Sequence, residues 1–489
     1  MQYIGIDLGS TNTKAAVYDE KLQCIAIESE PIAYERDGNL VEFDPQRYLE
    51  KVTGLLKSLS QKPGVNTKEI WRITFTGQAE TLVVLDKKGK PLMNAISWMD
   101  ERSREECEEL SQRFDKEACE KITGQLAVLP TWPATKILWL RKNRPEIFED
   151  AATYMLLKDY VVYCLTGKRL ADCSIATFTF YFDIYQKCYW KEMLDFIGIS
   201  EQQLPRLVEP CTQAGNLTEK AAHLTGLPET VIVNVGTLDH FAGMIGTGNV
   251  APGGVSLSTG TVMGLSLFAP AGPKGNCTGI AMHYGFIPDS HIMLPVAESG
   301  GVSLEWFRKT CMPGVDYATL NEELEKRVLP NALIFLPYLV GTNAPEMDEK
   351  ASGLFYGLRA ECDAYDMAAS VMEGVAFLLR KNCDAVRTAG TEIRYIIATG
   401  GGARSKVWCQ MQADITGLPV IIPHEKEAAC FGAAIAGAVE AGYFASYGEA
   451  SERVIHMDIK YTPHPQAVYE RKYKQFCALY QAMLDVNQI

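Results

Sequence analysis

Short apolar runs that stop at clusters of small polar residues recur along this chain, and they predict strands ending in tight turns. Residues 2–8 form the first run. It breaks at Gly9-Ser10-Thr11-Asn12-Thr13 and resumes at Lys14-Ala15-Ala16-Val17-Tyr18, a strand, a polar turn and a second strand. Buried strands are expected at residues 70–75 and 82–85, with Ala95-Ile96-Ser97-Trp98 following a Lys88-Gly89-Lys90 turn. Tyr48, Leu49, Val52, Leu55, Leu56 and Leu59 fall on one helical face, with Asp44 placed to cap it and Pro45 at its first position. Residues 100–226 read as mainly helical. Val231-Ile232-Val233-Asn234-Val235 is then a strand leading to a lone acid, Asp239, followed by the helical signal Phe241, Ala242, Met244, Ile245.

Residues 248–254, Gly-Asn-Val-Ala-Pro-Gly-Gly, read as a domain boundary. Immediately beyond, Gly254-Val255-Ser256-Leu257-Ser258-Thr259-Gly260-Thr261-Val262-Met263-Gly264-Leu265 repeats the opening pattern. One hydroxyl-rich hairpin is weak evidence of anything. Two, each opening one half, indicate an internal duplication. The expected architecture is α/β, with two related domains, 1–246 and 247–489, around a shared cleft, a pattern that resembles the actin-like (ribonuclease H-like) ATPase fold. Later stretches agree. A strand over 393–398 meets Thr399-Gly400-Gly401-Gly402-Ala403-Arg404-Ser405 before a helix, and the small-residue helix after Ala428 suits a hinge, as does Gly246-Thr247-Gly248.

Composition narrows the function. At 489 residues the chain exceeds one ordinary core. A net charge of −13 without a basic cluster argues against nucleic acid and anionic membrane as partners. No apolar run is long enough to span a bilayer, and no export signal stands at the N-terminus. The 14 cysteines are scattered without a CxxC pair, which points to reduced thiols in the cytoplasm and away from structural zinc.

The candidate chemistry sits where strands end. The turn Ser10, Thr11, Asn12, Thr13, Lys14 offers N–H groups and hydroxyls to a phosphate, with Asp7 beside it for Mg²⁺ through water. Asp239, near a helix N-terminus, is a carboxylate favoured as the anion, able to take a proton from a hydroxyl during phosphoryl transfer. Gln78, Glu80, Trp98 and Asp100 are candidates for a sugar pocket. Taken singly, Asp239 reads as a helix cap, Glu80 and Asp100 as solvated loop acids, and Trp98 as core.

Together the motifs resemble the FGGY family of carbohydrate kinases over essentially the full length. The order Gly5-Ile6-Asp7-Leu8-Gly9-Ser10-Thr11, Gly77-Gln78, Trp98 with Asp100, Asp239, Ser258-Thr259-Gly260-Thr261 and Gly400 to Ser405 carries the likeness. So do Pro133-Ala134-Thr135-Lys136 and Gly353-Leu354-Phe355-Tyr356-Gly357-Leu358. The resemblance implies a kinase that closes on ATP, Mg²⁺ and a small sugar or polyol, with Asp239 as base and Asp7 facing the metal. It implies Thr259, Gly260 and Thr261 on phosphate, and Gly301, Glu305, Gly401, Gly402 and Ser405 around the adenosine. Gln78, Ala79, Glu80, Trp98, Asp100, Asp239 and His240 would meet the sugar. By family habit the assembly would be a homodimer. Glycerol kinases read Gln-Arg-Glu-Thr where this chain has Gln78-Ala79-Glu80-Thr81, and Thr131 occupies the place of their substrate-contacting tyrosine. The side chains lost there open room for four to six carbons. A ketopentose such as xylulose is the leading acceptor. A tetritol, another polyol or a sugar acid is the alternative, and a non-catalytic sensor or a protein-directed ATPase the readings from other classes.

Overall fold

The computed structural model describes residues 1–260, 262–269, 279–327, 330–464 and 466–487. Each half is built on a mixed sheet. In the first, Gln2–Leu8 pairs antiparallel with Asn12–Tyr18 and parallel with Ile70–Gly77, which runs parallel to Ile232–Leu238. In the second, Gly254–Thr259 pairs antiparallel with Met263–Phe268 and parallel with Tyr395–Gly400, which runs parallel to Val420–Pro423. An antiparallel edge strand closes each sheet, Gln213–Asn216 in one and Met457–Tyr461 in the other. The duplication is therefore visible in strand order. The first edge strand precedes its neighbour in the chain, whereas the second follows it.

The central strands are buried on both faces, so they read as continuous apolar runs rather than alternating ones. Val52, Leu56 and Leu59 of the helix Pro45–Ser60 pack against the first sheet, and the Asp44 carboxylate caps that helix by accepting from the N–H groups of Gln46 and Arg47. The final helix, Ala467–Asn487, docks on the second half through Tyr469, Phe476 and Tyr480. The stretch 100–226 is less helical than its sequence predicts. Its helices alternate with short strands: Thr153–Leu156 pairs with Leu82–Leu85 in a second, five-stranded sheet, and Leu170–Asp172 pairs with Arg206–Val208 in a separate two-stranded one.

Two helices join the halves. Asp239–Gly246 crosses Ala428–Glu440 with backbones nearly touching. A Cβ on Gly432 would lie 1.8 Å from the Ala242 carbonyl oxygen, and one on Gly246 would lie 2.0 Å from that of Ala428. Only glycine permits this crossing. The helix Ala428–Glu440 also lies on the first sheet, where a Cβ on Gly5 would meet the Cys430 oxygen at 1.9 Å. Among the described residues no helix is long and apolar enough to cross a membrane.

Candidate functional site

Asp239 is positioned by a distorted strand end. The strand runs through Leu238, three residues beyond the apolar run, and its register against Ile70–Gly77 shifts between Asn234 and Thr237. Gly236 carries the bulge at φ +70°, and a Cβ there would fall 1.4 Å from the Phe75 oxygen. The Asn234 side chain accepts from the Gly236 N–H at 2.8 Å, and the Cys211 N–H donates to the Gly236 oxygen at 2.7 Å. Beneath the bulge lies Lys158, fully buried. Its ammonium donates to the Val235 oxygen at 2.8 Å and pairs with Asp172 at 2.7 Å. Burial works against that charge, but Asp172 and Asp159 outweigh it and hold the lysine above its ordinary pKa. Asp172 in turn accepts from Ser174, whose hydroxyl meets that of Thr237 at 2.7 Å.

The chain then turns into the helix at once. Leu238 takes the cap position and Asp239 is the first helical residue, so Asp239 is not the cap that it resembles when read alone. Its carboxylate accepts from the His240 N–H at 2.6 Å. The helix terminus does not prevail electrostatically. Burial raises the Asp239 pKa, and the charge and N–H of His240 only partly counter it. That corrects the expectation of a carboxylate stabilised as the anion.

Asp239 faces Asp7 across a cavity of about 300 Å³ between the halves, shared with His240, Ser258 and Glu427. Burial first, and the Asp239 charge second, push Asp7 up to about 7. Its Oδ1 is buried with no hydrogen-bond partner. Of the adjoining turn, Lys14 reaches across to Glu427 at 2.7 Å, and the backbone oxygen of Ser10 accepts from Tyr34 at 2.8 Å. Asn12, Thr13 and Lys14 already belong to the second strand. Thr13 turns its hydroxyl to Tyr48 in the core, away from the cleft.

A second cavity of about 460 Å³ opens in the C-terminal half. Thr259, Gly260, Gly301, Glu305, Gly401, Gly402 and Ser405 all line it. Thr261 lies outside the described residues. Four glycines bring bare backbone to part of the wall, where a Cβ on Gly301 would meet the Gly260 oxygen at 2.4 Å and one on Gly402 the Thr259 side chain at 2.8 Å, and side chains such as Leu304, Tyr317 and Trp408 complete it. Glu305 sits at the rim, pulled down to about 2 by Tyr317 and Lys309.

The acceptor-side residues divide. The Gln78 side chain is committed, donating to the Gly9 oxygen at 3.2 Å and accepting from Thr81 at 2.8 Å. Asp100 is wholly buried, gripped by Arg102 at 2.7 Å and by the Val41 N–H at 2.6 Å. It is neither solvated nor free. Trp98 is 38% exposed, which corrects its reading as core. Ala79 is partly buried against the first-half core. Glu80 holds φ +63°, an uncommon state for a residue with a side chain. Burial pushes its carboxyl up, while Lys136 and the Thr131 hydroxyl pull it down. Lys136, fully buried, donates to the backbone oxygens of Glu80 and Ser97 at 3.1 and 2.8 Å.

This arrangement matches known proteins along its whole length. The model of the FGGY family of carbohydrate kinases matches through its N-terminal domain over residues 2–246 and its C-terminal domain over 255–441. The chain belongs to the FGGY family of carbohydrate kinases. The xylulose kinase of Bacillus subtilis (strain 168) is 31% identical over 486 residues, which cover 98% of this chain and 96% of that protein. The crystal structure of xylulose kinase from Rhodospirillum rubrum superposes with a TM-score of 0.92 at 26% identity, covering all of both chains. Glycerol kinase from Plasmodium falciparum, solved with ADP, shares the fold at a TM-score of 0.90 and 21% identity, over 100% of this chain and 98% of that one.

Several residues of this carbohydrate kinase that shape the cleft carry no signal of their own in the sequence. Lys158, Asp172 and Ser174 sit in ordinary-looking stretches, and Glu427 is one acid among many. Lys136 stands in a quoted family motif, but nothing in the motif shows that its ammonium supports the backbone at Glu80.

Proposed function

We propose that this kinase transfers the γ-phosphoryl group of ATP to a hydroxyl of a small ketose, a ketopentose such as xylulose first. The observation that carries the reading is the facing pair of Asp239 and Asp7 between two halves, one of which offers a glycine-walled pocket. The 31% identity to a xylulose kinase supports the acceptor class.

In this mechanism Asp239 accepts the proton of the attacking hydroxyl as its oxygen bonds to phosphorus. A raised pKa makes it a better proton acceptor once ionised. Lys14 and the N–H groups from Gly9 to Thr11 hold the transferring phosphoryl group from the first half. Thr259 and Gly260 hold the β-phosphate side from the second, and the adenosine lies along Gly301, Gly401, Gly402 and Ser405. The acceptor rests against Glu80, Trp98 and His240. Mg²⁺ would be held at Asp7, because an unpartnered buried carboxylate oxygen is the kind of ligand a hard cation takes, directly or through water. When bound, it neutralises charge on the β- and γ-oxygens. Closing the halves excludes water as a competing acceptor. In this reading the enzyme is a cytoplasmic homodimer.

The test is ADP release with D-xylulose, L-xylulose, D-ribulose, L-ribulose, erythritol, erythrulose, xylitol, gluconate and glycerol. One strong ketopentose signal is expected. Turnover confined to glycerol would refute the acceptor class. ATP hydrolysis that ignores every acceptor would refute the sugar kinase mechanism.

A further inference from the structure

The phosphate turn and the loops that carry Glu80 and Trp98 belong to different sheets. Gly9, Ser10 and Thr11 join the first two strands of the six-stranded sheet. Glu80 precedes Leu82–Leu85, and Trp98 follows Ala95–Ile96, two strands of the five-stranded sheet. In-line transfer needs the phosphoryl group and the attacking hydroxyl at a fixed spacing. One sheet must therefore be tied to the other at this end.

Tyr34 stands where the chain passes between them. The chain leaves the six-stranded sheet after Cys24–Pro31 and enters the five-stranded one at Glu35–Asp37. The Tyr34 hydroxyl donates to the Ser10 oxygen at 2.8 Å. Two residues earlier, the Ile32 N–H donates to the Thr11 oxygen at 3.0 Å. The Gln78 amide donates to the Gly9 oxygen at 3.2 Å. Three successive carbonyls of the turn are thus occupied. In a trans peptide the N–H points opposite to the carbonyl, so these bonds set where the N–H groups of the turn point.

The same hydroxyl reaches the other sheet. Gln78 and Ser97 both present side-chain donors to its oxygen. Gln78 accepts from the Thr81 hydroxyl at 2.8 Å, and Thr81 accepts from the Trp98 N–H at 3.1 Å. The Tyr34 ring is held separately. It packs edge-on to Phe43, with centroids 5.4 Å apart, and the Arg36 guanidinium lies 5.8 Å from its centre. Burial raises the phenol pKa despite its neighbours, which keeps it a donor.

We infer that Tyr34 is a positioning residue for the transfer, acting through Ser10, Gln78 and Ser97. It ties the phosphate turn to the loops that carry the acceptor, and so sets the distance from the phosphoryl group to the attacking hydroxyl. The inference rests on the kinase reading and deepens it. Without this hydroxyl both substrates still bind through contacts that Tyr34 does not make. They meet out of line, and water gains as a competing acceptor.

Tyr34→Phe keeps the ring packing and removes the donor. The experiment follows ADP and sugar phosphate together, with whichever of D-xylulose, L-xylulose, D-ribulose and L-ribulose the wild type uses fastest. Active sites are counted by calorimetric titration with ADP. Sugar phosphate formation per active site should fall about tenfold in kcat, with each KM within about twofold of wild type. ADP formed in excess of sugar phosphate should rise. Arg36→Met, which leaves ring and hydroxyl in place, should keep the wild-type kcat and ratio. Wild-type kcat and ratio in Tyr34→Phe overturn the inference and leave the kinase intact. So does a loss fully explained by fewer active sites, or one reproduced by Arg36→Met, since either would make the role one of packing. A wild type that forms no sugar phosphate from any of the four overturns the ketopentose kinase reading and the inference with it.

Discussion

The two halves share a strand order but put opposite chemistry at the tips of corresponding strands. In the first half the central tips carry Asp7, Gln78 and Asp239. In the second they carry Ser258 with Thr259, then Gly400 with Gly401, then His424. One half buries carboxyls whose pKa values rise, and the other presents hydroxyls and bare backbone. The difference separates two tasks. Accepting a proton needs a side chain whose basicity is tuned by burial. Holding a polyphosphate and a flat base needs close approach and N–H groups, which side chains would obstruct.

The largest expected effect is at the first half's base. Asp239→Asn should lower kcat by about a hundredfold to ten-thousandfold, the range for a lost general base, while calorimetry shows unchanged ATP affinity. Near-normal turnover would remove Asp239 from the chemistry and the contrast with it. Lys158→Met probes how that base is aimed. Loss of the clamp on the Val235 oxygen should cost up to about a hundredfold in kcat, with acceptor KM little changed. An unaltered kcat in folded protein, checked by circular dichroism, would make the lysine purely structural. In the other half, Gly402→Val drives a side chain onto Thr259, and KM for ATP should rise about tenfold, or 1.4 kcal/mol. A matching rise in acceptor KM would show that the two tasks are not separated.

The pH profile sharpens the same contrast. Asp7 has a folded pKa near 7, above its ordinary value of 3.8. A raised carboxyl pKa adds stability that is present below the unfolded value and lost as pH rises through the folded one. Melting of the ligand-free protein should therefore weaken from about pH 4 to pH 7, more in wild type than in Asp7→Asn. Activity should run the other way, rising through pH 7 as Asp7 ionises. A flat stability profile in wild type would show that Asp7 is not held in this environment. The smallest effect is expected at the bridge between the halves. Lys14 and Glu427 are each about a third exposed, so Glu427→Gln should shift KM for ATP by no more than about fivefold.

The sequence alone determined the duplicated hairpins, the glycine-rich turn at 400–402, the helix after Asp239 and the family. Each rests on a local signal: a period, a breaker or a short motif whose residues are neighbours in the chain. The caps and buried strands were legible for the same reason, as Asp44 and the run before Asp239 show. Tertiary structure decided the rest. Nothing near Gln78 or Asp100 reveals that their side chains are spent on Gly9, Thr81 and Arg102. Nothing near Thr13 reveals that it faces Tyr48. Lys158 and Val235 lie 77 positions apart, and Lys14 and Glu427 lie 413 apart. Even the sign of the Asp239 shift depended on the fold, because a helix terminus is written locally whereas burial is set by how the two halves come together.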